Sequence, residues 1–247
     1  MTETWLNEAE RLLWDEDREP PFPRDMEAVA ADALLPVFFK MLPDLSTEQV
    51  EAWISRRHGT FQFLCPNRDL RGCIVALRGK AVIFTDANDS PEERRLTQAH
   101  EVAHFLLDYK QPRERALTAL GTTILPVLDG DREPTPTERV HAALSGIPLG
   151  AYHDFMERDD SGQMFQAAVQ AAEARADQLA LHILAPLAAV TARLPGAPVE
   201  TERAAFGHEA VRLLCGTFGL PAWAARDYGR FLWTLLKRPA SRQWLGL

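Results

Sequence analysis

His100-Glu101-Val102-Ala103-His104 sets two imidazoles four residues apart, with a carboxylate beside the first. On an α-helix, positions i and i+4 lie one turn apart on the same face, so both rings can reach one cation. Glu101 is then placed to take a proton from water at that cation, which is the chemistry of a metal-dependent hydrolase. With seven His in the chain, such a pattern arises by chance in roughly one comparable sequence in 65, so its helical setting has to carry weight. Leu96, Ala99, Ala103, Leu106 and Leu107 supply an apolar stripe. Ser90-Pro91-Glu92-Glu93 supplies an N-cap serine, a proline at the first helical position and a glutamate at the third. The spacing therefore predicts a helix over 91–109. The competing reading is an amphipathic helix whose histidines only pack in the core.

Catalytic zinc usually takes three protein ligands and keeps one position for water. The ranked candidate for the third ligand is Glu173, which shares a face with Asp177 on the helical pattern from Met164 to Leu184. An acid one turn beyond a ligand glutamate can hydrogen-bond a ligand histidine, fixing its tautomer and raising its basicity. Val169, Ala172, Ala176 and Ala180 surround the pair with small apolar residues suited to close packing; a solvated acidic pair is the alternative. His182, nine residues past Glu173, falls on the opposite face. His141 and His153 lie in a loosely patterned connection from which they can reach the site. His58 and His208 read as surface or boundary residues. Tyr109 and Tyr152 are candidates to polarise a carbonyl. His153 and Tyr152 are carried forward as candidate transition-state stabilisers.

The elements that must position these residues are partly visible. Cys73 to Leu77 and Ala81 to Thr85 read as strands joined through Arg78-Gly79-Lys80, a β-hairpin with glycine in the turn. Phe61 to Cys65 reads as a further short strand. The expectation is a small antiparallel sheet just ahead of the 91–109 helix. Upstream, Trp5 to Leu13 is helical and broken by Pro20-Pro21-Phe22-Pro23, a second helix follows Asp25, and a third starts at Ser46, where Gln49 completes a capping-box pattern. Gln111 to about Gly162 loosens, with a long loop expected over 121–137 and a short helix over 138–144. From Arg203 to Leu247 two or three helices are expected, with Phe218-Gly219-Leu220-Pro221 as a turn that resembles a helix-turn-helix.

Composition bounds the remaining possibilities. The chain has 247 residues, 46% hydrophobic and 25% charged, with a net charge of -8. This is ordinary for a globular protein and offers no general affinity for nucleic acid or anionic membrane. No apolar run approaches the roughly 18–20 residues that span a bilayer, and the acidic N-terminus has no charged-then-apolar leader. Cys65, Cys73 and Cys215 form no C-x-x-C pair, which fits a reducing, cytoplasmic compartment. Residues 203–247 carry seven Lys/Arg against two Asp/Glu. DNA contact through Arg212, Arg226, Arg230, Lys237 and Arg238 is therefore weighed against a helical cap on the core. Trp223, Phe231 and Trp233 tip the reading toward a packed cap.

The segment Arg95-Leu96-Thr97-Gln98-Ala99-His100-Glu101-Val102-Ala103-His104-Phe105-Leu106-Leu107 resembles the RFTLAHELGHLLL signature of the ImmA/IrrE metallopeptidases. Glu173 to Pro186 resembles their second signature, E-x-x-A-N-x-F-A-x-x-L-L-x-P, with Asp177 where Asn is common; Ala103 stands where Gly is usual. Together with the hairpin, the resemblance covers roughly 60–110 and 164–190. It implies an α+β, zincin-like fold, mostly helical, with one zinc (or another divalent metal) held by His100, His104 and Glu173. Glu101 is then the general base and Asp177 a partner of a ligand. It also implies a cytoplasmic endopeptidase that cleaves a helix-turn-helix repressor in a stress-response or mobile-element switch. The expected organisation is a helical segment over 1–60, a metallopeptidase core over 61–190 with an insertion at about 111–162, and a helical segment over 200–247. The expected partner is a small DNA-binding repressor, and neither a membrane nor direct DNA contact is expected. A non-proteolytic regulatory or DNA-binding module is the alternative.

Overall fold

The structure, a computed structural model, describes residues 4–14, 19–58, 61–157, 167–194 and 203–236. Two compact units emerge, Met1–Pro20 with Asp25–Ile183, and Pro21–Arg24 with Leu184–Leu247. No helix among the described residues is long and apolar enough to cross a membrane.

The first unit carries α1 (Thr4–Glu10) and α2 (Met26–Asp32) ahead of a sheet of four strands, β1 (Val37–Leu42), β2 (Leu70–Leu77), β3 (Lys80–Asp86) and β4 (Tyr152–Glu157), in the order β1-β3-β2-β4. β2 and β3 form the expected hairpin, Ile74 opposite Ile83 and Leu77 opposite Lys80. Its two turn residues, Arg78 (φ 52°) and Gly79 (φ 76°), both take the left-handed region that a tight twisted hairpin requires. The sheet is mixed and not antiparallel throughout, because β1 runs parallel to β3 with Val37 opposite Ala81. Val37-Phe38-Phe39-Lys40-Met41-Leu42 has ordinary strand composition, and the helix between β1 and β2 makes the crossover that parallel pairing needs. Phe61–Cys65 is not a strand. Its backbone is pinned to α3 (Thr47–His58), with Phe63 N–H donating to Glu51 Oε1 at 2.6 Å and Phe61 N–H to Ser55 Oγ at 3.2 Å.

The two faces of the sheet have different roles. One packs Cys73 and Phe84 against Val50, Trp53 and Ile54 of α3 and against Phe63. The other receives α4 (Pro91–His104), whose start is a complete capping box: Ser90 Oγ accepts from Glu93 N–H and Glu93 accepts from Ser90 N–H. The helix does not end near 109. It widens into a π-turn over Phe105–Lys110 and continues as α5 (Gln111–Leu120).

The connection after Gln111 is ordered across its described part. α5, α6 (Leu125–Leu128) and α7 (Pro136–Ser145) enclose Ala116, Ile124, Val127, Leu128, Ala142 and Ile147. The chain then enters β4, which pairs antiparallel with β2. A stretch expected to be loose thus supplies an edge strand of the central sheet; residues 158–162 lie outside the described residues. α8 (Ala167–Leu184) carries the second signature. Mostly helical around a small mixed sheet, the architecture is α+β and compatible with a zincin-like fold.

The second unit holds α9 (Leu187–Thr191), α10 (Arg203–Gly216) and α11 (Ala222–Leu236). Tyr228 O–H donates to the Ala185 carbonyl at 2.9 Å, and Phe206 meets Trp233 at 5.4 Å. Trp223 and Phe231, taken from sequence as packing residues, are exposed. Arg212 pairs with Glu209 and Arg230 with Asp227 on the same helix turns, so two of the five cations considered for DNA are locally neutralised. Lys237 and Arg238 lie outside the described residues.

Candidate metal centre

α4 buries His100, Glu101 and His104 almost completely, and each ring is oriented by a carboxylate at its far nitrogen. His100 Nδ1 lies 2.9 Å from Asp177 Oδ1, and His104 Nδ1 lies 2.8 Å from Asp108 Oδ2. A carboxylate acceptor keeps a proton on Nδ1, so Nε2 is the nitrogen that each ring turns into the site. Those two Nε2 atoms face each other at 3.0 Å. Glu173 reaches across from α8, its Oε2 3.4 Å from His100 Nε2 and its Oε1 3.5 Å from His104 Nε2. The sequence-predicted His100, His104, Glu173 and Asp177 are thus drawn into one site.

A fourth donor was not foreseen. Asp154 Oδ2 on β4 is 3.5 Å from His104 Nε2, and one ligand atom from each of His100, His104, Asp154 and Glu173 lies within 4.8 Å of all the others. The donor set can be tested against a metal. Ligands about 2.0–2.2 Å from a tetrahedral centre stand roughly 3.3–3.6 Å from one another. Three of the measured pairs, at 3.4, 3.5 and 3.5 Å, meet that separation, and the His–His pair is slightly inside it. Two imidazoles with carboxylates form a hard-to-borderline set suited to zinc. The residues fit a divalent cation.

Glu101 completes the arrangement. It is fully buried, and neither carboxylate oxygen has a hydrogen-bond partner among the described residues. Burial pushes its acid up to about 8 against the opposing pull of His100. An ionisable group in a cleft with so perturbed an acidity is a candidate proton carrier. Glu173 behaves oppositely. Burial alone would raise its acid, but hydrogen bonds from His100 and His104 hold it down to about 2. For both histidines burial opposes the charged form and is outweighed. Asp177 and Glu173 raise His100 to about 9, and Asp108 and Glu173 raise His104 to about 11.

Gly72 on β2 lets α4 come this close. A Cβ there would overlap Thr97 Cγ2 and stand 2.8 Å from Glu101 Oε1. On β4, alternation separates the candidates. Asp154 is opposite Ile74 and Met156 is opposite Gly72, on the α4 face. His153 is on the other face, its ring 5.2 Å from both Phe63 and Phe155. It is not brought to the metal donors. Tyr152 shares the parity of Asp154. Burial and the nearby Asp154, Asp108, Glu101 and Glu173 raise its phenol, so it stays an O–H donor. The Tyr109 hydroxyl is occupied, accepting from Gly79 N–H at 2.7 Å. His182 pairs with Glu10 at 3.0 Å, His141 sits on α7, and His208 is exposed on α10.

Asp108 and Asp154 are the residues that sequence reasoning missed. Asp108 lies four residues past His104, one helical turn on, and its other oxygen accepts from Arg175 of α8 at 3.1 Å. That i+4 spacing was available as a signal. For Asp154 the signal was strand parity, visible only once 152–157 is seen as a strand.

Residues 56–124 match the family model Peptidase_M78, described as the IrrE N-terminal-like domain. The match bears out the ImmA/IrrE-like resemblance over this segment, which carries β2, β3 and the whole of α4. The family is a metallopeptidase family, and His100, His104, Asp154 and Glu173 form a group that could hold its metal. Asp154, Glu173 and Asp177 lie beyond the matched residues. Among curated protein sequences, none matches the chain.

Proposed function

We propose that this protein is a zinc-dependent endopeptidase of the cytoplasm whose substrate is a small DNA-binding repressor. The observation that carries the catalytic reading is the convergence of three donor side chains, at or slightly inside ligand-to-ligand distances, beside the buried Glu101, which has no hydrogen-bond partner among the described residues. His100, His104 and Glu173 would hold the ion. When bound, it would supply Lewis-acid polarisation of a peptide carbonyl and lower the pKa of water. Glu101 takes a proton from the attacking water and returns it to the departing amine nitrogen as the C–N bond breaks. Asp177 and Asp108 keep each ring's ligating nitrogen pointed inward. Tyr152 offers an O–H toward the carbonyl oxygen.

The edge of β4 that pairs with no strand among the described residues supports an extended substrate added as a further strand, which aligns its main chain beside the donors. Such a mode favours an exposed or loosely held linker over a folded helix. A net charge of -8 suits encounter with a basic DNA-binding partner.

The experiment is a comparison of the zinc-loaded protein, Glu101→Gln and His104→Ala on a candidate repressor and on casein. Glu101→Gln keeps its metal and loses cleavage, because it removes the base and not a ligand. His104→Ala loses most of the metal. The wild type cuts the repressor far faster than casein. Casein cleaved equally fast sinks the specific-protease reading, and a cleaving Gln variant means that Glu101 is not the base.

A further inference from the structure

The proposed reaction needs three ligands and a position open to exchange, yet the site offers four donors. Asp154 has the features of a ligand. Its Oδ2 is buried and without a hydrogen-bond partner among the described residues. It stands 3.5 Å from His104 Nε2, the same separation as Glu173 Oε1 from that atom. A carboxylate that merely lined the cleft would gain from turning this oxygen to solvent or to a donor, since an unpaired buried carboxylate oxygen is costly. Backbone pairing holds it in place instead, with Asp154 opposite Ile74 on the face that Gly72 opens to α4.

We propose that Asp154 is a fourth protein ligand to the metal, so that the substrate-free centre is coordinatively closed and opens only when Asp154 withdraws. This deepens the proposed function and rests on it. A closed four-donor set is characteristic of a structural site, and a buried unpartnered base beside it is characteristic of a catalytic one. A removable fourth ligand reconciles the two. β4 is suited to release it. Among the described residues it is an edge strand with one neighbour, β2, and their register shifts between Leu70 and Gly72. The same edge is where an extended peptide would pair, so substrate alignment and withdrawal of Asp154 involve one strand.

The test uses the full chain loaded with Co(II), whose visible absorption reports coordination, and azide as an exogenous ligand. The wild type shows a tetrahedral spectrum that azide leaves unchanged. Asp154→Asn and Asp154→Ala show an altered spectrum that shifts on azide addition. Their Co(II) affinity falls by at least the roughly 10–100-fold that loss of an outer partner costs. Either variant, if folded, decides the matter; unchanged absorption and affinity, or a wild type that takes up azide, overturns the fourth-ligand assignment. His104→Ala separates this from the underlying reading. If that variant binds Co(II) as tightly as wild type, the site itself is wrongly assigned and Asp154 falls with it. If it loses Co(II) while Asp154→Asn behaves as wild type, only the present inference fails.

Discussion

Gly72→Ala should be one of the more damaging single-methyl changes in the chain, for reasons that can be worked through. Gly72 sits in a strand at negative φ, so alanine fits the backbone. From the unfolded state alone, Gly→Ala would stabilise by about 0.4–1 kcal/mol. The native state opposes this. The added Cβ would overlap Thr97 Cγ2 and stand 2.8 Å from Glu101 Oε1, where ordinary contact begins at 3.4 Å. Thr97 and Glu101 are both buried on a capped helix and cannot swing into solvent. Overpacking of this kind typically costs about 1–3 kcal/mol, so the net expectation is a loss of about 1–2 kcal/mol. Urea denaturation of the metal-free protein measures it. Thr97→Ser removes the clashing methyl and keeps the hydroxyl, so the double variant should recover part of the loss. In the zinc-loaded protein, cleavage should fall by a larger factor than metal affinity, because the displaced group is the proposed base. A Gly72→Ala protein as stable as wild type, or a Thr97→Ser change that restores nothing, would refute the close-approach argument.

Asp108→Asn should weaken metal binding more than Asp177→Asn, toward opposite ends of the roughly 10–100-fold range for outer partners. Asp108 is 16% exposed and braced by Arg175, whereas Asp177 is 69% exposed and screened by solvent. Competition with a chromogenic chelator ranks them, and the reverse order would show that burial does not set the strength of these contacts. Glu138 is held down to about 2, first by Arg132 and then by the Thr135 N–H. Its folded value lies below its unfolded one, so its contribution to stability is present above about pH 4.5 and lost as pH falls toward 2. Glu138→Gln should therefore flatten part of the acid limb of a stability–pH curve, and an unaltered limb would show the pair contributes nothing in solution.

How far the sequence could be read depended on whether an element announces itself locally. α4 does so three times, through its cap, its first-turn proline and its apolar stripe, and its histidines follow from spacing alone. Glu173 and Asp177 were reachable because small residues around an acidic pair are unusual on a solvated helix. β1 has strand composition, but its partner β3 lies some 40 residues on, and parallel pairing leaves no turn signal between them. The π-turn at Phe105–Lys110 was hidden for a different reason. Widening a helix by part of a turn changes no composition, yet here it follows directly on a candidate ligand and joins α4 to α5 without a break.

β4 shows why the candidate site was only partly legible. Tyr152-His153-Asp154-Phe155-Met156-Glu157 contains two acids and no β-branched residue, so its own preferences do not declare a strand. Pairing with β2 creates it, and that pairing spans more than 70 residues of chain. Once the strand exists, its period of two assigns every side chain at once. His153 and Phe155 go to the aromatic face with Phe63, while Tyr152, Asp154 and Met156 go to the α4 face. A histidine in a sequence with a metal motif invites assignment by residue type, and here residue type misleads. Register decides, placing the carboxylate of Asp154 at ligand distance and turning the imidazole beside it away.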